Sequence, residues 1–272
     1  MPELPEVETT IRYLFSKVNG KKIISIQSSK KKLRKNLQPK YFSLVEGSKI
    51  ETVHRIAKYI VLTLKPLRYL IIHLGMSGRL KFFNKKNYLP EKHDHVLMEF
   101  SQFFVVFNDP RRFGMFFMLD DSHELKNFFQ HYGIDLLTDP INFEEVYKTF
   151  QKKNVSLKQI LLDQRVFVGI GNIYANEALF DSRLHPERKS NTLTKNEIKQ
   201  LISSCRHVLE LSLKNGGSSI NDYKSPDGTL GSFQNMFQVY QRSEIIMNKK
   251  RYPVKKIFQN GRSTFFSPTL QK

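Results

Sequence analysis

The sequence has one cysteine, Cys205, in 272 residues. One cysteine cannot pair within the chain, so a disulfide framework is excluded. Structural zinc sites built on two or four thiolates of one chain are excluded with it. No apolar run approaches the roughly 20 residues of a membrane helix. The opening MPELPEVETT carries Glu3, Glu6 and Glu8 and no apolar h-region, so a signal peptide is not expected. No internal repeat or low-complexity tract is visible. Hydrophobic residues make up 40%, enough to bury a core, which argues against wholesale disorder. The expectation is a soluble, cytoplasmic protein in a reducing compartment, with length enough for two modest domains.

Acid is scarce as well. The chain has 44 Lys+Arg against 25 Asp+Glu, a formal net charge of +19. Between Thr9 and Val45 there is no acid, while Arg12, Lys17, Lys21, Lys22, Lys30, Lys31, Lys32, Arg34, Lys35 and Lys40 all fall there. After Tyr240 the one acid is Glu244, against eight basic residues. A lysine-rich genome would spread basic residues evenly. Clustering favours a polyanionic partner, and nucleic acid above others.

Hydrophobic spacing divides the chain. Val7, Ile11, Leu14 and Val18 repeat at helical spacing, and Pro5 suits a first turn, so residues 5–18 read as a helix. Short β-branched or aromatic runs follow at 22–28, 59–64, 69–75, 78–83, 95–100, 103–108 and 113–119, separated by turn signals. That many strands imply a sandwich or barrel. Beyond Asp139-Pro140 the period is helical again, over 143–152, 156–164, 172–182 and 194–214. Cys205 lies on the apolar stripe of the last helix and reads as a core residue. Residues 216–235 read as a flexible loop, and 237–272 as a basic β-hairpin with a turn at Asn260-Gly261. The fold class is α+β.

Four stretches suggest chemistry. If Met1 is removed, Pro2 presents a secondary amine, neutral more often than lysine because an α-amine titrates near ~8. Such an amine can attack a sugar C1′ and form a Schiff base, with Glu3 beside it to move a proton. The same residues also read as an ordinary helix start, with proline and acids at the positive end of the dipole. Lys58 heads the strand of RIAKYIVL. Met76 sits on the Gly-flanked turn of IHLGMSGRL, and Arg111 and Phe113 on the turn NDPRRFG. Apolar and cationic loop tips can wedge into a duplex and replace an extruded base. They also read as core residues and solvated arginines. In VGIGNIYANEALF, Asn172 opens a helix after two glycines, which suits a phosphate contact. His93-Asp94-His95, with His73, could suggest a metal, since His-x-His on a strand puts both rings on one face. No carboxylate–histidine pattern of a known hydrolase surrounds it, and a phosphate contact for one histidine is the better reading.

Together PELPEVET, RIAKYIVL, IHLGMSGRL, EKHDHV, NDPRRFG, VGIGNIYANEALF and NGRSTFF resemble the bacterial formamidopyrimidine-DNA glycosylase family over essentially the whole chain. The resemblance implies a catalytic domain over 1–135, a helix preceding a β-sandwich. It implies a helix-two-turn-helix domain over 136–236, with a lesion-covering loop at 216–231, and a β-hairpin finger over 237–272. DNA would lie in the cleft between the domains, bound by a monomer. The resemblance implies a bifunctional glycosylase and AP lyase that removes oxidised purines from duplex DNA and cleaves by β,δ-elimination. It makes Pro2 the nucleophile, Glu3 the acid and base, Lys58 an assistant to base release and β-elimination, and Arg262 the phosphate grip of δ-elimination. Met76, Arg111 and Phe113 would fill the void left by the base, and His93, Lys158 and Asn172 would contact phosphates. Asn154 stands where the family often has a DNA-contacting lysine, for which Lys152 or Lys153 could compensate. The family's finger usually binds zinc through four cysteines, and here Met247, Lys250, Ser267 and Leu270 fall at those positions. The expectation is a zincless finger with no cofactor, packed by Ile246, Tyr252, Val254, Ile257 and Phe265.

Overall fold

A computed structural model describes residues 2–219 and 228–272. The chain divides into two units, Met1–Gln130 with Gly216–Ser232, and His131–Asn215 with Phe233–Lys272.

The first unit opens with helix α1, Leu4–Val18. A capping box between Glu3 and Glu6 starts it, and Val7, Ile11, Leu14 and Val18 form its buried stripe. It stops at Asn19-Gly20, where Gly20 takes a φ of +74°. Next come β1 (Ser25–Ser28), the short helix α2 (Phe42–Val45), β2 (Lys49–Ile56), β3 (Tyr59–Lys65), β4 (Arg68–His73), β5 (Arg79–Asn84), β6 (Asp94–Glu99), β7 (Phe103–Asn108) and β8 (Met115–Leu119). Two antiparallel four-stranded sheets result, ordered β1-β6-β7-β5 and β2-β3-β4-β8. One core fills the sandwich. Ile26, Leu80, Val96 and Phe107 of the first sheet meet Ile60, Leu62, Ile72 and Phe116 of the second, with the α1 stripe among them. Helix α3, Ser122–Phe129, is capped by the Asp121 side chain and follows β8.

The second unit holds α4 (Phe143–Lys152), α5 (Leu157–Leu162), α6 (Asn172–Asp181) and α7 (Lys195–Lys214). Side chains of Asn142, Ser156 and Thr194 cap α4, α5 and α7. Cys205 is buried on α7, and burial pushes its thiol pKa up. The finger is two antiparallel hairpins, β9 (Glu244–Met247) with β10 (Lys250–Pro253) and β11 (Lys255–Gln259) with β12 (Arg262–Phe266).

Three readings of the sequence change. Strand β2 was not anticipated, because an irregularity between Ile50 and Thr52 breaks its alternation. The finger has a second hairpin turn at Asn248 and Lys249, both at positive φ, besides the expected one at Asn260-Gly261. Within β9 the inward residue is Ile245, while Ile246 is 65% exposed. Adjacent strand residues face opposite sides, and two neighbouring isoleucines do not say which is inside.

Candidate active site

Pro2 and Glu3 lead into α1 and are buried. The capping box fixes them: the Glu3 N–H donates to Glu6 Oε2 at 2.8 Å. Glu6 Oε1 accepts from the N–H of Ser218 at 2.7 Å and from its hydroxyl at 2.9 Å. One carboxylate, 1% exposed, therefore holds the N-terminus and one end of the 216–231 segment. The two ends of that segment also meet, since the Gly231 N–H donates to Ser219 Oγ at 2.8 Å. Residues 220–227 of the expected covering loop lie outside the described residues.

Lys58 sits half-buried in the β2–β3 turn, directly after Ala57, which takes a φ of +54°. A relay from α1 holds that turn. Arg55 Nε donates to Glu8 Oε2 at 3.0 Å, and Arg55 Nη1 donates to the Ala57 carbonyl at 3.1 Å. His73, at the end of β4, packs its ring 4.6 Å from that of Tyr59. Its Nδ1 accepts from the Gly75 N–H at 3.1 Å. Burial, with the nearby Lys58 and Arg34 charges adding to it, lowers the His73 pKa to about 4. The ring is thus neutral at pH 7 and carries its proton on Nε2.

Met76 and Phe113 are 37% and 47% exposed, on neighbouring turns. Buried Asp109 braces both turns. Its Oδ1 accepts from Ser77 Oγ at 2.6 Å, and its Oδ2 accepts from the Gly114 N–H at 2.8 Å. The Arg111 N–H in turn donates to Ser77 Oγ at 3.1 Å. Gly75 has a φ of +65°, and a Cβ there would lie 2.6 Å from the Gly114 nitrogen, so only glycine lets the turns touch. Arg111 and Phe113 stack, with the guanidinium carbon 5.2 Å from the ring centroid. A cavity of about 740 Å³ opens here, lined by Lys32, Arg34, His73, Met76, Arg111 and Phe113 among others. His93 is half-buried, and its carbonyl accepts from the Asp109 N–H at 3.0 Å. The neighbouring His95 ring is occupied structurally, by Ser29 Oγ at 3.1 Å and the Asp109 carbonyl at 2.9 Å.

In the second unit, Lys158 is 1% exposed. Its ammonium donates to Asn176 Oδ1 at 2.9 Å and to Thr264 Oγ1 at 3.2 Å. Asn172 starts α6 and donates from Nδ2 to the Ser263 carbonyl at 3.0 Å, while its Oδ1 is buried with no partner. Arg262 and Asn154 are exposed. Arg262 lines a cavity of about 410 Å³ with Lys153, Lys158, Arg165 and Asn260. Buried Glu177 accepts from the backbone N–H groups of Gln238, Val239 and Tyr240 at 2.7–3.1 Å, and burial pushes its pKa up.

Sequence reasoning missed Asp109, Ser77, Asn176 and Glu177 as organisers. The signal was present for the last two, since an amide and an acid interrupt the apolar run NIYANEALF. Among the described residues, no three His, Cys, Asp or Glu side chains stand together as a metal site. No described helix is long and apolar enough to cross a membrane.

Comparison with known proteins agrees with this architecture. Residues 1–116 match the formamidopyrimidine-DNA glycosylase N-terminal domain, and residues 132–224 match the H2TH domain of the same enzymes. The formamidopyrimidine-DNA glycosylase of Wolbachia pipientis subsp. Culex pipiens is 38% identical over 272 residues, covering all of both chains. That of Zymomonas mobilis is 40% identical over 278 residues, again covering all of both. A Lactococcus lactis FPG mutant in complex with a Fapy-dG containing DNA superposes with a TM-score of 0.92 at 31% identity, over 100% of each chain. Lactococcus lactis Fpg in complex with an abasic site containing DNA gives a TM-score of 0.90 at 31% identity, over 99% of each chain.

Proposed function

Because the chain belongs to the formamidopyrimidine-DNA glycosylase family, we propose that Pro2, Glu3, Lys58 and Arg262 carry its chemistry. The protein is a DNA glycosylase of base excision repair with AP lyase activity, acting on DNA that contains oxidised purines or abasic sites. Its place of action is the bacterial cytoplasm, where the genome lies.

The Pro2 nitrogen attacks C1′ of the extruded nucleotide, and the glycosidic electron pair leaves with the base. Glu3 protonates the sugar ring oxygen, so the ring opens and the C1′–nitrogen bond becomes an iminium. That cation acidifies the C2′ hydrogen. Loss of this proton drives out the 3′ phosphate in β-elimination, and a second elimination expels the 5′ phosphate. Lys58 assists base release and the first elimination, and Arg262 holds the phosphate that leaves. Met76, Arg111 and Phe113 fill the gap left by the base, offsetting an extrusion cost of a few kcal/mol. His93 and Asn172 contact backbone phosphates, with Lys152 or Lys153 serving beside Asn154. Lys158 acts through the finger, by fixing Thr264 two residues from Arg262.

The observation that carries this reading is the capping box on Glu6, which holds Pro2 and Glu3 in place at the head of α1. Borohydride trapping on duplex DNA with 8-oxoguanine opposite cytosine tests it. A covalent adduct is expected, together with its loss in Pro2→Gly. Full trapping by Pro2→Gly would refute the assignment.

The finger folds without zinc on this reading. A thioether, an ammonium, a hydroxyl and an isobutyl group replace the four thiolates at Met247, Lys250, Ser267 and Leu270, and that donor set does not fit Zn²⁺. An apolar cluster of Phe180, Val239, Ile245 and Phe265, joined by Tyr240, Val254 and Leu270, supports the hairpins instead. Elemental analysis is expected to find no stoichiometric zinc.

A further inference from the structure

Two tight turns of the finger, Met247–Lys250 and Ser267–Leu270, take the places of the two metal-binding turns. In the first, Met247 and Lys250 pair across β9 and β10. In the second, the Leu270 and Gln271 N–H groups donate to the Ser267 carbonyl at 3.3 and 3.1 Å. Both turns are fastened to one short segment after α6. Arg183 Nη2 donates to Met247 Sδ at 3.5 Å. The Lys272 N–H donates to the Arg183 carbonyl at 2.9 Å, and the His185 N–H donates to the Lys272 carbonyl at 2.8 Å. Gln271 Nε2 donates to the Leu184 carbonyl at 2.9 Å, while Gln271 Oε1 accepts from the Ser267 N–H at 2.9 Å.

Arg183 is unusual in three ways. It takes a φ of +61°, which a side-chain-bearing residue rarely adopts. Its guanidinium carbon lies 4.4 Å from the Phe180 ring centroid, within the finger's apolar cluster. Its Nη1 is buried without a hydrogen-bond partner among the described residues. A planar cation can stack on an aromatic face and still donate in its own plane to a soft sulfur, which a lysine ammonium cannot do with the same geometry.

We propose that Arg183 is the finger's clasp, joining the two turns as a tetrahedral metal joins them in a thiolate finger, and that it is thereby a positioning residue for Arg262. The proposal rests on the metal-free reading of the finger. The link to Arg262 runs along α6. Asn172 holds the Ser263 carbonyl, and Asn176 Oδ1 accepts from the Phe265 N–H at 2.9 Å. Arg183 secures the far end of the same helix against the turn that follows β12.

The test is Arg183→Met in the full-length protein, read by hydrogen exchange and by product ratio on an abasic-site duplex. Amides of 244–272 are expected to exchange at least about tenfold faster, a charge-assisted hydrogen bond having been removed. The β-elimination product should then accumulate over the δ-product, while borohydride trapping through Pro2 persists. Zinc should restore protection and product ratio when Met247→Cys, Lys250→Cys, Ser267→Cys and Leu270→Cys are added. Unchanged exchange and product ratio in Arg183→Met would overturn the proposal. Should that variant fail to fold, Met247→Leu removes only the sulfur acceptor, and an unchanged 244–272 in it overturns the proposal equally. Stoichiometric zinc in the parent protein would instead sink the metal-free reading, a separate outcome.

Discussion

Replacing Glu6 by alanine removes the acceptor of at least three buried hydrogen bonds, from the Glu3 N–H and from the N–H and hydroxyl of Ser218. Each donor left without a partner costs about 1–3 kcal/mol, so a total of about 3–9 kcal/mol is expected for the three. Loss of an acid in the first turn of α1 adds about 0.3–1 kcal/mol through the helix dipole. This is a large part of the stability of an ordinary domain. Glu6→Gln should cost less, because one carbonyl oxygen survives while the amide NH₂ opposes a donor. Urea unfolding gives the stabilities, and single-turnover trapping reports Pro2 geometry in parallel. A double-mutant cycle with Ser218→Ala isolates the link to the segment end, where a coupling of about 1–3 kcal/mol is expected. If Glu6→Ala costs under about 1 kcal/mol and traps at the parent rate, the carboxylate is not the organiser argued above.

Stability of the first unit should fall as pH drops from the ordinary histidine range toward 4. The unfolded chain protonates His73 first, while the folded protein resists until about 4, so the unfolded state binds more protons in that window. Urea midpoints measured across it should depend less steeply on pH in His73→Asn. Lys158→Met should destabilise by about 1–3 kcal/mol, because Thr264 Oγ1 loses its donor. The salt slope of DNA binding should stay unchanged in that variant, whereas a lysine that reached a phosphate would lower it by about 0.9.

The helices with clean periodicity, α1, α4 and α7, were readable to within a residue, because apolar spacing alone decides them. Helix α6 was readable as a helix but not in its role. Asn176 and Glu177 are buried polar residues whose acceptor oxygens serve backbone N–H groups of the finger and the segment before it, 61–89 residues away in sequence. The tie between Glu6 and Ser218 spans 212 residues and leaves no local trace. The loop tips Met76, Arg111 and Phe113 stood out as exposed chemistry on Gly-flanked turns. Asp109 did not, because an aspartate before proline in a turn is ordinary, and its brace appears only once two turns meet. Packing of the finger was the least readable part. Strands of four or five residues carry too little alternation to say which side is inside.

The Asp109 brace also bears on how the enzyme searches DNA. Ser77, Gly114 and the Arg111 backbone are tied to one buried carboxylate, so the turns bearing Met76 and Phe113 are ordered when the protein folds. If Met76 and Phe113 enter the duplex as proposed, no loop has to freeze at the moment of contact, and each base pair is met by a preformed tip. On that proposal the discrimination would come from how readily each base pair yields, since extrusion costs least at a damaged or mismatched base.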